Sequence, residues 1–497
     1  MLFQNPTIKE ILERYRAIWS IDHALSLMGW DAETYMPTEG IKDRALARAD
    51  LALIQQSLIL KQEFLELVAK ADKIEDLNDY ERGTLRVLNR MIKLAKSLPP
   101  SLVAERAKIT AEAVIVWREA RAKNDFDMFR PYLERIFEIS KKIADCLTWE
   151  KHPYDALLDL YEEGIKTEDV NAVLGSLRNE LKWIVQKVLS EVRYPREHPL
   201  ERTRYDPSKM QDVNLKILEA LGYPQGVRGR LDISAHPFTV DMGINDVRIT
   251  TRYEGFDFKR SMFSVVHEFG HALYNLQLDP AISYTPLASG VSLGVHEGQS
   301  RFWENIIGRS IEFAEFVYPI LRESLEFVSR YSPEDLYYYF NTVKPSLIRV
   351  DADEVTYNIH IIIRTELEKL ILGGEVKVSD LPELWSTYME ELLGVKPSSY
   401  AEGVLQDIHW SQGSIGYFPT YTLGNIVAAS IRDNIARDLN LGESVLNGNY
   451  KVIREWLREK IHKYGATYPP KVLLQKALGV GYEPENFIKY IMSKYLA

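Results

Sequence analysis

An HEFGH string at residues 267–271 is the part of the chain whose residue types and spacing are most typical of chemistry. Residues four apart on a helix share a face, so the imidazoles of His267 and His271 can both reach one metal ion. Zinc lowers the pKa of a bound water from about 16 to roughly 7, and Glu268 lies close enough to hydrogen-bond that water. The string therefore predicts a hydrolytic metal site, provided that it lies on a helix.

The residues around the string predict that helix. Apolar side chains recur at intervals of three and four through residues 261–278, which contain no proline. Pro280 then marks the end, because proline cannot continue the hydrogen-bond ladder. Gly270 weakens a helix by about 1 kcal/mol relative to alanine, so its presence indicates close packing or a metal site.

A catalytic zinc usually takes three protein ligands and leaves the fourth position to water. The segment 296–299, which reads HEGQ and opens a second predicted helical stretch, supplies two candidates for the third ligand. Glu297 is preferred, because two histidines and one glutamate form the usual ligand set of zinc peptidases. His296 is the alternative.

The composition limits the partners of such a site. The chain has 61 basic and 71 acidic side chains, a balance that argues against nucleic acid or an anionic membrane as the main partner. Its single cysteine, Cys146, cannot form an intramolecular disulfide. The first residues lack the basic start and apolar core of a signal peptide, and no apolar run approaches about eighteen residues. We therefore expect a cytoplasmic protein that binds no membrane.

Apolar spacing of three and four predicts a mainly helical chain. The helices it predicts are 7–28, 42–71, 78–96, 100–122, 126–149 and 171–192. Residues 231–254 differ, because β-branched residues alternate there with polar ones around a turn at 243–246, and we predict a small β element. A chain of this length usually splits its core, so we expect residues 1–497 to form one unit of two helical lobes around a groove.

Four further segments group polar residues in ways that suit a site. They are HPF at 236–238, DxRxT at 246–250, the stretch 349–364, and GxxQDxHW at 403–410, which a loop rich in glycine and tyrosine follows. Tyr357, His360 and Arg364 share one helical face, which predicts either a buried polar network or the lining of a cleft. The loop is either a connector or a source of tyrosine hydroxyls that stabilise an oxyanion.

Together with WDAETYMPTEG at 30–40, these motifs resemble in order the series found in the carboxypeptidase Taq family of zinc metallocarboxypeptidases, whose metal site is of the gluzincin type. The resemblance covers almost the whole chain. It implies a mainly helical, two-lobed fold with a deep central groove and a small sheet near the active site, similar to neurolysin and angiotensin-converting enzyme. It also implies metal-site helices within residues 261–310 and a homodimer.

The activity that the resemblance implies is metal-dependent removal of single amino acids from the C-terminus of peptides, with broad specificity, by promoted-water hydrolysis. One divalent metal is expected per chain, zinc by default and cobalt as the alternative. By the resemblance His267, His271 and Glu297 are the metal ligands, and Glu268 is the general base.

The resemblance also implies a set of substrate-binding residues. Arg349 is placed near the free carboxylate of the substrate, a role that suits the planar, two-pronged guanidinium. The residues expected to line the groove are His236, Arg248, His409, Tyr417 and Tyr421.

Two other functions stay open on sequence grounds. An endo-oligopeptidase or dipeptidyl carboxypeptidase of the same architecture would share HExxH and the downstream glutamate but release different products. A non-catalytic helical metal-binding protein is the more remote alternative. The presence of Glu268 argues against it, because structural zinc sites are closed by four ligands and have no use for an unligated base.

Overall fold

A computed structural model describes residues 2–191 and 193–496 of the protein, and over these ranges the fold is mainly helical with one small β-sheet, as predicted. The first helices in chain order are α1 (Pro6–Thr34), α2 (Ile41–Ile59), α3 (Gln62–Ala71), α4 (Asp79–Ser97), α5 (Pro100–Lys123), α6 (Phe126–Leu147), α7 (Tyr154–Asp159), α8 (Thr167–Glu191), α9 (Pro207–Leu221) and α10 (Phe258–Leu276). The remaining helices are α11 (Leu293–Arg301), α12 (Ile311–Ser324), α13 (Pro333–Phe340), α14 (Tyr357–Gly373), α15 (Leu381–Leu393), α16 (Pro419–Asp438), α17 (Leu441–Leu446), α18 (Tyr450–Lys460), α19 (Pro470–Leu478) and α20 (Pro484–Tyr495).

Most of the predicted helices are confirmed, with ends displaced by a few residues. The predicted segments 7–28, 78–96, 100–122, 126–149 and 171–192 correspond to α1, α4, α5, α6 and α8. Val192, the last residue of the predicted segment 171–192, lies outside the described residues.

The single helix predicted for 42–71 is wrong, because two helices occupy this segment. Helix α2 ends at Ile59, and Lys61 has extended backbone before α3 begins. The apolar spacing continues across this break, since Ile59 and Phe64 are buried in the same cluster. The spacing of apolar residues shows which face of a helix is buried, but it does not show where the helix ends and changes direction. The prediction from spacing therefore missed the break.

The small β element is confirmed as a three-stranded sheet. Its strands are β1 (Leu231–Ile233), β2 (Thr239–Asp241) and β3 (Val247–Thr251), in the order β1-β3-β2. Strand β3 is parallel to β1 and antiparallel to β2. The predicted turn joins β2 to β3, and Gly243 adopts a φ of 121° there, a value that glycine reaches most easily.

Main-chain contacts divide the chain into two compact units. The first combines the residues up to 96 with 198–340 and 427–481, and the second combines 97–197 and 341–426 with the residues from 482 onward. The first unit contains the sheet, α10 and α11, and buried residues lie on every face of α10. Among the described residues, no helix combines the length and apolarity needed to cross a lipid bilayer.

Helices α10 and α11 approach each other closely at Gly270. A Cβ atom at this position would lie 2.5 Å from Ser300 Cα and 2.7 Å from the carbonyl oxygen of Gln299. Both are main-chain atoms of α11, which cannot rotate away as a flexible side chain could. Close packing of the two helices therefore requires glycine at position 270. Close packing is one of the two explanations that the sequence offers for this residue, the other being a metal site.

Replacing Gly270 by alanine should push α11 away from α10. We expect the free energy of unfolding to fall by about 1 to 3 kcal/mol, the usual cost of overpacking a core. Urea denaturation of the metal-free protein measures this change. The matched control is Gly175→Ala on α8, where an added Cβ meets no atom within 4 Å and the substitution should be neutral or slightly stabilising. Equal stability of the two variants would contradict the packing argument.

Candidate metal centre and polar network

Helices α10 and α11 bring His267, His271 and Glu297 together. One ligand atom from each lies within 4.8 Å of the other two. Glu297 Oε2 is 3.7 Å from His267 Nε2 and 3.4 Å from His271 Nε2. A tetrahedral ion with bonds of about 2.0 to 2.2 Å separates two of its ligand atoms by roughly 3.3 to 3.6 Å. The three side chains therefore fit one divalent metal ion.

The second ring nitrogen of each histidine contacts another buried group. His267 Nδ1 lies 2.9 Å from Glu304 Oε2, and His271 Nδ1 lies 2.7 Å from His296 Nδ1. Metal-binding histidines commonly donate this second N–H to a neighbour, which fixes the ring orientation and leaves Nε2 for the metal. His296, the alternative third ligand, thus contacts the nitrogen of His271 that points away from Glu297.

Buried charges hold the glutamates of the centre in place. Arg301 Nε donates to Glu297 Oε1 over 2.7 Å, which leaves Oε2 facing the histidines. Glu304 accepts from Arg301 over 3.2 Å and from Arg309 over 3.1 Å. Burial alone would raise the pKa of Glu297, but Arg301 and the two histidines outweigh it and hold the pKa well below its usual range. Arg301, His267 and Arg309 likewise outweigh burial and lower the pKa of Glu304, so the carboxylates of Glu297 and Glu304 both remain charged.

Glu268, which follows His267 in the chain, is buried, and the sheet holds its carboxylate. The hydroxyl of Thr239 on β2 donates to Glu268 Oε2 over 2.6 Å, and it lies 3.0 Å from the main-chain oxygen of Glu268. The sheet before the metal helix thus orients the carboxylate that sequence reasoning assigned as the base. Nothing in the sequence pattern pointed to Thr239, since the contact joins two elements that are distant in the chain.

A π-helix follows α11 directly and carries Glu304. It spans Phe302–Ile307, and Gly308 N donates to Trp303 O, five residues earlier, over 2.8 Å. The predicted second helical stretch is therefore helical as far as Ile307, but it changes type after Arg301. Arg301 follows Glu297 at a helical spacing of four, a signal that would have identified it as a partner of Glu297, whereas Glu304 contacts His267 on the neighbouring helix.

The HPF and DxRxT motifs build the sheet. Phe238 N donates to Thr250 Oγ1 over 3.0 Å, and Thr250 N donates to Phe238 O over 2.9 Å. Arg248 pairs with Asp246 through two hydrogen bonds of 2.8 and 2.7 Å, and its Cζ lies 4.2 Å from the centre of the Trp30 ring. His236 is exposed in the loop between β1 and β2.

In the second unit, the stretch 349–364 and the GxxQDxHW motif meet in a buried network. Arg349 Nε donates to Asp407 Oδ1 over 2.9 Å, and Arg364 Nε donates to Asp407 Oδ2 over 2.5 Å. Arg349 Nη1 also donates to the hydroxyl of Tyr357 over 3.0 Å. Arg349, Tyr357, His360 and Arg364 are buried, so the polar face that the sequence predicted for Tyr357, His360 and Arg364 lies inside the second unit.

His409, Tyr417 and Tyr421 lie next to this network. His409 Nε2 is 3.2 Å from the hydroxyl of Tyr421, and the ring of Tyr417 is 5.5 Å from that of His409. Burial and then Arg349 lower the pKa of His409 to about 3, so its imidazole is neutral near pH 7. The sequence-predicted substrate residues therefore fall into two groups. Arg349, His409, Tyr417 and Tyr421 lie in the second unit, while His236 and Arg248 lie in the first unit, as do the three side chains that could hold a metal.

Two histidines on one helix, a glutamate on the next and an unligated glutamate between the histidines form the arrangement of an HExxH metallopeptidase. A family model described as carboxypeptidase Taq (M32) metallopeptidase matches residues 10–495. The chain belongs to this family, as the resemblance of its motifs predicted.

Characterised relatives and a solved structure agree with the family. The chain is 53% identical to thermostable carboxypeptidase 1 of Pyrococcus furiosus, over 100% of this chain and 99% of the relative. It is 38% identical to thermostable carboxypeptidase 1 of Thermus thermophilus, over 95% of each chain. A structure of the Pyrococcus furiosus carboxypeptidase described as Apo-Mg has a TM-score of 0.98 and 53% identity, and the match covers 100% of both chains. The protein is therefore a metallocarboxypeptidase, a hydrolase that acts on peptides and requires a divalent metal.

Replacing Glu304 by glutamine should weaken metal binding without removing a ligand. The neutral amide holds the second N–H of His267 less strongly, and such changes typically lower metal affinity by about 10- to 100-fold. Competition with a chromophoric chelator for Zn²⁺ or Co²⁺ measures the affinity. Glu315→Gln, at an exposed position of α12, is the matched control. An affinity of Glu304→Gln equal to that of the control would show that Glu304 does not support the centre.

Proposed function

We propose that the protein releases single amino acids from the C-termini of peptides with broad specificity, using His267, His271 and Glu297 to hold one divalent metal and Glu268 as the general base. One observation carries the proposal. Glu268 lies between the two histidines in the chain but is not part of the three-residue ligand cluster, and Thr239 holds its carboxylate in place. A purely structural metal site has no use for such a carboxylate.

The donor set supports zinc as the metal, because two imidazoles and one carboxylate are the usual ligands of catalytic zinc. Cobalt binds the same donors and is the alternative. When bound, such an ion polarises the scissile carbonyl and activates a water for attack near neutral pH.

Glu268 moves the proton in this proposal. Its Oε2 already accepts from Thr239, so Oε1 is the oxygen that takes the proton of the attacking water. The same carboxyl group then passes the proton to the nitrogen of the leaving amino acid. Thr239 contributes by fixing the carboxylate plane, so that Oε1 needs no reorientation between the two transfers.

A carboxypeptidase must also bind a free carboxylate, and the network in the second unit has the charge for it. Arg349 and Arg364 contribute two positive charges and Asp407 one negative charge, while His409 is neutral. These four side chains therefore retain one net positive charge, which favours an anion. Arg349 is our candidate for the contact, with His409, Tyr417 and Tyr421 beside it and His236 and Arg248 as further contacts of the peptide.

Other features stay proposals. The homodimer, the similarity to neurolysin and angiotensin-converting enzyme, and the organisation of residues 1–497 as one peptidase around a groove rest on the family resemblance. A cytoplasmic location is supported by the single cysteine, Cys146, which suits a reducing compartment.

Mass spectrometry of one peptide, free and C-terminally amidated, tests the exopeptidase activity. The metal-loaded enzyme should produce a ladder of single losses from the free C-terminus and leave the amidated peptide intact. Glu268→Gln should bind metal and produce no ladder. Internal cleavage of both peptides would instead identify an oligopeptidase, and no cleavage after metal loading would favour a binding protein.

Replacing Arg349 by alanine should raise KM for free-ended peptides by roughly 100-fold, the effect of losing charge-assisted hydrogen bonds to a carboxylate. Metal content should not change. Because the substitution also breaks a buried ion pair with Asp407, Arg349→Lys is the second variant, which keeps the charge and loses the planar two-pronged geometry. An unchanged KM in both variants would exclude Arg349 from this role.

A further inference from the structure

Glu368, on α14 in the second unit, is a completely buried carboxylate that the proposed mechanism does not use. It accepts three hydrogen bonds: from the hydroxyl of Tyr154 over 2.7 Å, from Trp410 Nε1 over 2.8 Å and from Gly416 N over 3.0 Å. None of these three donors carries a charge. Glu368 thus differs from Asp407, which is paired with two arginines.

This arrangement is costly to the stability of the fold. A buried carboxylate without a directly paired cation loses its hydration, and neutral hydrogen bonds restore only part of it. Burial accordingly raises the pKa of Glu368 to about 7, although the three hydrogen bonds and the charge of Arg364 act in the opposite direction. The fold tolerates this cost because Glu368 is the common acceptor of three donors, which an apolar residue in the same space would leave unsatisfied.

The positions of two of the donors in the chain show which segment Glu368 holds in place. Trp410 and Gly416 lie on the loop between α15 and α16, directly after His409 and directly before Tyr417. The ring of Trp410 packs against Trp385 at 5.9 Å. Gly416 has a φ of 91°, and a Cβ there would lie 3.0 Å from a main-chain carbon of α7. Glu368 therefore holds both ends of the seven-residue segment, residues 410–416, that separates His409 from Tyr417.

We propose that Glu368 is a positioning residue for peptide hydrolysis, which holds His409 and Tyr417 in their substrate-binding places through Trp410 Nε1 and Gly416 N. This inference rests on the proposed function of His409 and Tyr417.

Hydrogen-bond chemistry explains why the residue is a glutamate. The indole N–H of Trp410 and the main-chain N–H of Gly416 can only donate. A carboxylate accepts from both, and from Tyr154 as well. Glutamine has one accepting atom, so if its oxygen faces Gly416 and Tyr154, its NH₂ group faces the N–H of Trp410. Two donors then oppose each other, and the loop must move.

A double-mutant cycle of Glu368→Gln, Trp410→Phe and the double variant tests the proposal. KM and kcat are measured on the free-ended peptide, and metal affinity is measured separately. We expect Glu368→Gln to raise KM at least tenfold, with kcat changing less and metal affinity unchanged. Trp410→Phe removes the opposing N–H, so the double variant should have the KM of Trp410→Phe alone. This rescue of KM by a second substitution distinguishes a positioning role from a general loss of structure, because a second substitution would make a general loss of structure worse.

Several outcomes would overturn the proposal. A wild-type KM in Glu368→Gln would do so, as would a double variant whose KM is the product of the two single effects. Should Glu368→Gln not fold, Trp410→Phe and Tyr154→Phe each remove one of the three hydrogen bonds, and an unchanged KM in both would overturn it. Cleavage of the amidated peptide by the wild-type enzyme is a separate result, because it contradicts the proposed function itself.

The pH dependence of stability gives an independent readout. Folding raises the pKa of Glu368 from 4.5 to about 7, so the folded state binds the proton more tightly, and this contribution to stability is lost as pH rises through that window. The free energy of unfolding of the wild type minus that of Glu368→Gln should therefore fall between pH 5 and pH 8. The groups that face Glu368, namely Tyr154, Tyr161 and Arg364, do not titrate in this range. Urea denaturation of both metal-free proteins measures the difference, and a constant or rising difference would contradict a buried, unpaired carboxylate.

Discussion

The contact of α10 with α11 at Gly270 is the constraint on which the candidate metal centre depends. His267 and His271 on one helix could give only two ligands, so the third, for which Glu297 is our candidate, would have to come from a neighbour whose main chain lies close by. A glycine permits that approach, and Ser300 Cα would lie only 2.5 Å from any Cβ at this position. Because buried residues surround α10 on every face, the packing of the first unit is also what fixes the geometry of its ligands.

The two units stabilise buried charge by different means. In the candidate metal centre, Glu297 and Glu304 share Arg301, and Glu304 also pairs with Arg309, so that both carboxylates stay ionised and keep an oxygen toward the histidines. In the second unit, Asp407 is surrounded by more positive than negative charge, which leaves the network suited to an anion. Glu368 follows neither scheme, since its three hydrogen-bond donors, Tyr154, Trp410 and Gly416, are all neutral. Its unfavourable burial is the kind of cost that proteins accept where function requires a fixed geometry.

Much of this could be predicted from the sequence, and the failures have physical reasons. The helix at residues 267–271 and the small sheet followed from spacing, because helical periodicity and a turn at Gly243 are local properties. Glu297 was preferred as a ligand because it completes the usual set of zinc peptidases, and it does lie close to both histidines. The break at Lys61 was missed, because both helices bury apolar residues in one cluster and the period does not change. Thr239 and Glu368 were missed for another reason. Their partners come from distant parts of the chain, and a single sequence holds no record of which distant residues meet.

The π-helix Phe302–Ile307 has a consequence for how this centre can change. A π-turn is a regular helix with one residue inserted, so the segment after α11 carries an extra residue relative to an uninterrupted α-helix. Glu304 is the third residue of this segment, so the widened turn sets the direction in which its carboxylate leaves the helix toward His267 Nδ1. The contact of Glu304 with His267 is therefore governed by the backbone geometry of this segment as well as by its composition. A variant of the chain could keep His267, His271 and Glu297 and still lose that contact, if residues 302–307 formed a regular α-helix.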